Sequence, residues 1–141
     1  MTLDQAIRHI QTSASQMNAL YHKVVFDEWA VVSFAGNKCH LLDYIGPRRE
    51  TFSANFATDA GQLRAGLLDQ EYSPGDFEFS RHGVGTGFES FIAAGDGIYI
   101  ICNNTVQSMD AIAKDPLWLN AEVPFVELSE RFRGDPIVLP G

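Results

Sequence analysis

The stretch that most constrains the fold of this chain is Phe88–Asn104, with the sequence FESFIAAGDGIYIICNN. Asp96-Gly97 lies at its centre, and this pair favours a tight hairpin turn because both residues tolerate a positive φ. Successive residues of a strand point to opposite faces, so the side chains on each face of the returning strand decide whether that face is buried or exposed to water. Both faces are apolar: Ile98, Ile100 and Cys102 form one, and Tyr99 and Ile101 form the other.

A hairpin without a water-facing side has to be covered on both faces. We expect helices of the same chain to cover one face and a second chain to be a candidate cover for the other. This is the physical reason for predicting a homodimer. The predicted interface residues are Trp29, Phe91, Tyr99 and Ile101.

Length and charge narrow the class of protein. The chain has 141 residues, so we expect a single α+β domain over 1–141 with a core of its own. Ten basic and 18 acidic residues give a net charge of -8, which disfavours nucleic acid and anionic membrane surfaces as partners. The sequence shows no signal peptide and no membrane-spanning run, which predicts a cytoplasmic location.

The N-terminal part predicts a helix followed by a strand. Thr2 and Gln5 have the spacing of a capping box, and a helical apolar stripe follows over 3–20. Val24–Ala35 is typical of a long strand. Glu28 is the charged exception on an otherwise apolar face of that strand.

The middle of the chain supports two interpretations. Gly36-Asn37 is a turn signal, and Cys39–Ile45 completes a hairpin. Beyond it, apolar and polar residues alternate over 51–57, which favours a third strand followed by a helix to about residue 70. The same apolar residues also fit a helical stripe, so the alternative is one helix from about Arg48.

The C-terminal part predicts a further strand and two helices. Asp76–Arg81 is a short strand that precedes the apolar hairpin. Asn104 or Thr105 can cap the next helix, and Pro124 suits the first turn of a last helix that ends near Gly134. The order of elements predicts an α+β fold with a single antiparallel sheet of five to six strands and helices packed against it.

Cys39-His40 is the pair that most suggests enzyme chemistry. Neighbours on a strand point to opposite faces, so these two cannot form a thiolate–imidazole dyad with each other. The other cysteine is Cys102, and both lie in apolar runs that are typical of buried, reduced thiols. We therefore predict no catalytic residue.

The sequence gives only weak evidence for any other catalytic or metal-binding arrangement. The four histidines, His9, His22, His40 and His82, lack metal-binding spacing, and no metal or cofactor site is predicted. Asp27-Glu28 and the pair Asp76 and Glu78 are close only in sequence. No Walker or GxSxG motif is present. The sequence favours a protein that is not an enzyme without deciding the question.

Two further segments are candidate binding elements. Gly83–Gly87 is glycine-rich, but it lies between two predicted strands, so a flexible connection is favoured over a phosphate loop. Arg48 and Arg49 form the one concentrated basic spot. Adjacent arginines can bind a carboxylate or phosphate, so they are the candidate anion-binding residues, although a solvated turn is the commoner role of such a pair.

The order of elements, with the pattern Gly95-Asp-Gly-Ile-Tyr-Ile-Ile before a capped helix, resembles the roadblock/longin group of profilin-like folds over Leu3–Ala113. In that group a hairpin, a helix, a further meander and a closing helix surround one antiparallel sheet. A third strand over 51–57 departs from that order and is instead similar to the type III secretion chaperone group, whose members are small, acidic and dimeric. The segment after Asp115 matches neither group.

Both resemblances imply a non-catalytic dimer. The first implies a scaffold or regulator for a small GTPase, and the second implies a chaperone for an exported protein. The leading hypothesis is a non-enzymatic protein-interaction or scaffold module that forms a homodimer. The alternative is a small-molecule-binding sensor or enzyme with a pocket near the Gly83–Gly87 loop. The sequence does not distinguish these two hypotheses, because an interface and a ligand pocket would both consist of apolar residues next to glycines.

Overall fold

A computed structural model of the chain describes residues 1–21, 28–35, 38–47, 49–50, 72–80, 89–103 and 118–140. These residues form two long helices and one antiparallel sheet, so the chain belongs to the α+β class, as predicted. The helices are α1 (Leu3–Tyr21) and α2 (Trp118–Gly134). The strands are β1 (Glu28–Ala35), β2 (Lys38–Ile45), β3 (Phe77–Ser80), β4 (Glu89–Gly95) and β5 (Ile98–Asn103).

Helix α1 begins with the capping box that the sequence predicts. The Thr2 hydroxyl accepts a hydrogen bond from the Gln5 N–H at 3.2 Å, and the Gln5 side chain accepts one from the Thr2 N–H at 2.9 Å. These bonds satisfy backbone donors that the start of a helix leaves without helical partners. One side of the helix is buried at helical spacing: Ala6, Ile10, Ser13 and Met17.

The strands are arranged in the order β2-β1-β5-β4-β3, and every neighbouring pair is antiparallel. The pairing of β1 with β5 joins the β1–β2 hairpin to the other three strands. The β4–β5 hairpin turns at Asp96-Gly97, as predicted, and Gly97 has a φ of +69°. A Cβ at this position would lie 2.8 Å from the Phe34 carbonyl oxygen, so the turn requires glycine on both counts.

The structure corrects the predicted sheet of five to six strands in its number of long strands, and the described residues form no sixth strand. The described residues form four strands of six to eight residues, and the only addition to them is the four-residue β3 at the edge. The predicted strand over 51–57 lies outside the described residues. Arg49 and Glu50, just before it, are helical, as the alternative helix from about Arg48 requires. A short apolar run fits a strand and a helical stripe equally well, so both interpretations of 51–57 stay predictions.

Both helices pack on one face of the sheet, which we call the helix face. α1 and α2 also contact each other across it. Each large apolar side chain buried here contributes roughly 1.5–3 kcal/mol to stability before the entropy of ordering it is subtracted. The core cluster on this face contains Ala6, Ile10, Met17, Trp29, Val31, Ile92, Ala94, Ile98, Ile100, Cys102, Phe125, Leu128, Phe132 and Ile137.

The opposite face of the sheet carries a second buried cluster, consisting of Ala30, Val32, Tyr44, Phe91, Ala93, Tyr99 and Ile101. Tyr72 packs edge-on against it, with ring centroids 5.3 Å from Phe91 and 6.4 Å from Tyr99. The apolar hairpin therefore has two buried faces, as its alternation predicts. A single chain covers both of them.

Helix α2 differs from the prediction at its start and agrees with it at its end. The helix begins at Trp118, so Pro124 lies inside it and not in its first turn. Proline at the first turn is the common arrangement because its missing N–H costs nothing there, but packing can place proline further along. The helix ends at Gly134, where the Asp135 N–H donates to the Arg131 carbonyl at 2.8 Å.

The segment after α2 joins the two ends of the described chain to the sheet. The Ile137 N–H donates to the Ala94 carbonyl at 2.8 Å, and the Ile137 side chain is buried. The Val138 N–H donates to the Met1 carbonyl at 2.9 Å. The Met1 amino group lies 2.6 Å from Asp135 Oδ1. The apolar residues Ile137 and Leu139 thus belong to the helix face.

Candidate functional site

A fully buried carboxyl group lies at one end of the sheet, on the face opposite the helices. Glu28, the first residue of β1, has no exposed surface. The Tyr44 hydroxyl donates to Glu28 Oε2 at 2.6 Å, and the Asn103 amide donates to Oε1 at 2.9 Å. Both oxygens of the buried carboxyl group thus have a hydrogen-bond partner on a neighbouring strand. We call these three side chains the Glu28 group.

The register of three strands builds this group. Glu28 is paired with Asn103 across β1 and β5, and Ala30 is paired with Tyr44 across β1 and β2. Residues two apart on a strand share a face, so Tyr44 and Asn103 flank Glu28 from the two neighbouring strands. The sequence marked Glu28 as a charged exception, but its partners lie 16 and 75 residues away and carried no signal.

The chemistry of the Glu28 group is that of a structural link. Burying a carboxylate is costly unless hydrogen bonds replace its water, and Tyr44 and Asn103 supply such bonds here. A general base would have to reach the proton of a substrate, whereas Glu28 has no exposed surface. The group therefore ties β1, β2 and β5 together at one end of the sheet.

The predicted anion-binding pair is only partly within the described residues. Arg48 lies outside them. Arg49 is exposed, and its Nη2 lies 3.7 Å from Asp43 Oδ1 and 3.5 Å from the Tyr44 carbonyl oxygen. The carboxylate offsets part of the guanidinium charge, so Arg49 is a weaker anion site than its place in the sequence indicates.

All four predicted interface residues are buried within a single chain. The exposed fractions are 2% for Trp29, 7% for Phe91, 5% for Tyr99 and 2% for Ile101. Trp29 lies on the helix face, with its ring centroid 5.6 Å from that of Phe125, and the other three belong to the opposite cluster. The structure does not bring the four together on one surface, because apolar alternation shows that a face is covered but not what covers it.

Cys39 and His40 point in different directions, as strand alternation predicts. Cys39 packs against the cluster on the face opposite the helices, and His40 is exposed. Burial raises the pKa of the Cys39 thiol to about 11. The thiol is therefore protonated at neutral pH and is a poor nucleophile.

The remaining predicted elements add no further site. His22, His82 and the glycine-rich segment 83–87, with the pocket proposed beside it, lie outside the described residues. Among the residues that are described, no group of three or more His, Cys, Asp or Glu side chains could hold a metal ion. Cys39 and Cys102 are not joined by a disulfide.

An open cleft that the sequence did not predict lies between the 72–76 turn and α2. Its volume is about 450 Å³. The tripeptide Ser73-Pro74-Gly75 is typical of a turn, but such a pattern does not reveal what the turn packs against. We call this the Tyr72 cleft, and it is lined by Tyr72, Gly75, Asp76, Val126, Ser129, Glu130 and Arg133.

Comparisons with known proteins found no matching family model, no similar curated protein and no similar solved structure. Neither helix of the described ranges is long and apolar enough to cross a membrane.

Proposed function

We propose that this chain is a non-enzymatic protein-interaction module that works as a homodimer in the cytoplasm. The observation that carries the proposal is the place of β2 at one edge of the sheet. β2 has eight residues, pairs with β1 on one side, and pairs with none of the described strands on the other. Such an edge offers a row of backbone donors and acceptors to which another chain can add a strand.

The side chains of β2 support this use of the edge. Its apolar residues leave part of their surface uncovered although they contact the two core clusters: Cys39, Leu41, Leu42 and Ile45. The register with β1 shifts between Val31 and Val32, opposite Leu42, so regular pairing is best along Lys38–Leu41. A short paired segment of this kind fits a reversible dimer and not a permanent one.

The proposal does not depend on the faces of the sheet. The predicted interface rested on those faces, and a single chain covers both. The two family resemblances support a non-catalytic dimer and differ in the further partner, which is a small GTPase in one case and an exported protein in the other. The raised pKa of the Cys39 thiol and the enclosed Glu28 group also favour a non-enzymatic role.

Sedimentation at micromolar concentration tests the proposal. We expect the wild-type chain to sediment at twice its mass of 15.6 kDa. Lys38→Asp leaves β2 with carboxylates at positions 38 and 43 and without its lysine, so the β2 edges of two copies repel each other and we expect the dimer to weaken at least about fivefold. Arg8→Asp makes the same charge change on the exposed side of α1 and serves as the matched control.

Each result has a definite meaning. A wild-type species of 15.6 kDa would overturn the homodimer. A dimer that Arg8→Asp weakens as much as Lys38→Asp would remove β2 as the contact, because the effect would then follow net charge alone.

A further inference from the structure

The walls of the Tyr72 cleft are held rigidly against each other. Gly75 has a φ of +87°, and a Cβ on it would lie 2.2 Å from Arg133 Cβ. The Gly75 N–H donates to the Ala93 carbonyl at 2.7 Å, and the Ser129 hydroxyl donates to the Gly75 carbonyl. The turn is therefore fixed to both β4 and α2, so the cleft exists before any partner arrives.

The lining of the cleft combines an apolar wall with an acidic rim. The Tyr72 ring is packed edge-on against Phe91, and Val126 is 43% exposed although it is a large apolar residue. Glu130 is exposed and forms no ion pair within the described residues. Asp76 faces the cleft from the other side.

Among the described residues that line the cleft, Arg133 is the only cation. Its guanidinium Nη2 lies 3.9 Å from Asp76 Oδ1, a loose ion pair between two partly exposed side chains. The rim carries the two carboxylates of Asp76 and Glu130 and the one guanidinium of Arg133, so these three side chains have a net charge of -1. The whole chain has a net charge of -8, which attracts basic partners from a distance.

We propose that the Tyr72 cleft receives a lysine or arginine side chain of a partner protein. The aliphatic stem of such a side chain would lie on Tyr72 and Val126, and its charged head would reach the carboxylates of Glu130 and Asp76. This inference rests on the proposed interaction function and adds the chemistry of the partner, which is a segment with an exposed basic residue.

The experiment is an NMR titration of the isotope-labelled chain with two capped tripeptides. The measured quantity is the chemical shift of each backbone amide. The probe is acetyl-Gly-Arg-Gly-amide, and acetyl-Gly-Glu-Gly-amide is its charge-reversed control. We expect saturable shifts at Tyr72, Val126 and Glu130 with the arginine peptide and none with the glutamate peptide. We also expect Glu130→Lys to weaken binding about tenfold, because it removes one attraction and adds a repulsion.

Glu127→Lys is the matched control variant, since Glu127 is exposed on the same helix and does not line the cleft. We expect it to change the affinity by less than about threefold, because residue 127 does not line the cleft and its charge would act on the bound cation only through solvent. Equal weakening by both variants, or shifts that do not saturate, would overturn the site. A monomeric chain that still binds the arginine peptide would overturn the homodimer and leave the site standing.

Discussion

Glu28 shows how one residue can link separate strands through the core. It is a charged side chain without exposed surface, and its two oxygens accept hydrogen bonds from Tyr44 and Asn103. The three residues come from three different strands. If one donor is removed, a buried carboxylate is left short of a partner, which costs more than the bond itself contributes.

We therefore expect Tyr44→Phe to lower the free energy of unfolding by roughly 1–3 kcal/mol, because it removes a hydrogen bond to a buried carboxylate. Tyr99→Phe is the matched control: Tyr99 belongs to the same cluster, and its hydroxyl has no hydrogen bond within the described residues. Urea unfolding of both variants checks the prediction. Equal effects of the two substitutions would show that the Glu28 group is not what stabilises this end of the sheet.

At the scale of elements, the fold depends on how closely the 72–76 turn approaches α2. Asp76 accepts from the Ser73 N–H at 2.8 Å, which closes the turn, and the Ala93 N–H donates to the Asp76 carbonyl at 3.0 Å. Gly75 then lies against the backbone of Arg133, with no space for a side chain. One residue without a Cβ thus sets the distance between a turn, a strand and a helix.

Gly75→Ala should destabilise the chain by roughly 2–4 kcal/mol, because alanine is strained at a positive φ and its Cβ would overlap Arg133. Gly134→Ala is the control, since a Cβ at Gly134 meets nothing within 4 Å. We expect that variant to lie within about 0.5 kcal/mol of the wild type or to be slightly more stable. Comparison of the two urea midpoints is the measurement, and similar midpoints would contradict the close approach.

For the whole molecule, the sheet is the layer that both core clusters share. Ile100 and Ile101 are neighbours on β5, but Ile100 belongs to the helix-face cluster and Ile101 to the opposite cluster. Both are fully buried or nearly so. The two clusters therefore meet along the same backbone, and loss of packing on either face should weaken the same folded unit.

We expect Ile100→Ala and Ile101→Ala each to lower the free energy of unfolding by roughly 2–5 kcal/mol, since both leave a cavity in a packed core. Far-ultraviolet circular dichroism and tryptophan fluorescence should report one coincident transition for each variant. A cost below about 1 kcal/mol for Ile101→Ala, together with a change in sedimentation, would return Ile101 to the interface that the sequence predicted.

The sequence by itself determined the features that depend on neighbouring residues. The Thr2–Gln5 capping box, the Asp96-Gly97 turn and the two-faced hairpin follow from backbone geometry within a few residues, so local patterns were sufficient to predict them. The α+β class follows from the order of such elements. The charge at Glu28 was also visible as an exception on an apolar strand.

Only the tertiary structure decided which distant residues meet. It paired β1 with β5, placed both helices on one face and buried the four predicted interface residues inside one chain. It also reduced the predicted sheet to four long strands with a short edge strand, and joined Glu28 to Asn103. The physical reason is that these contacts join residues far apart in the chain, so their energies depend on how whole elements pack and leave no periodic trace in the sequence.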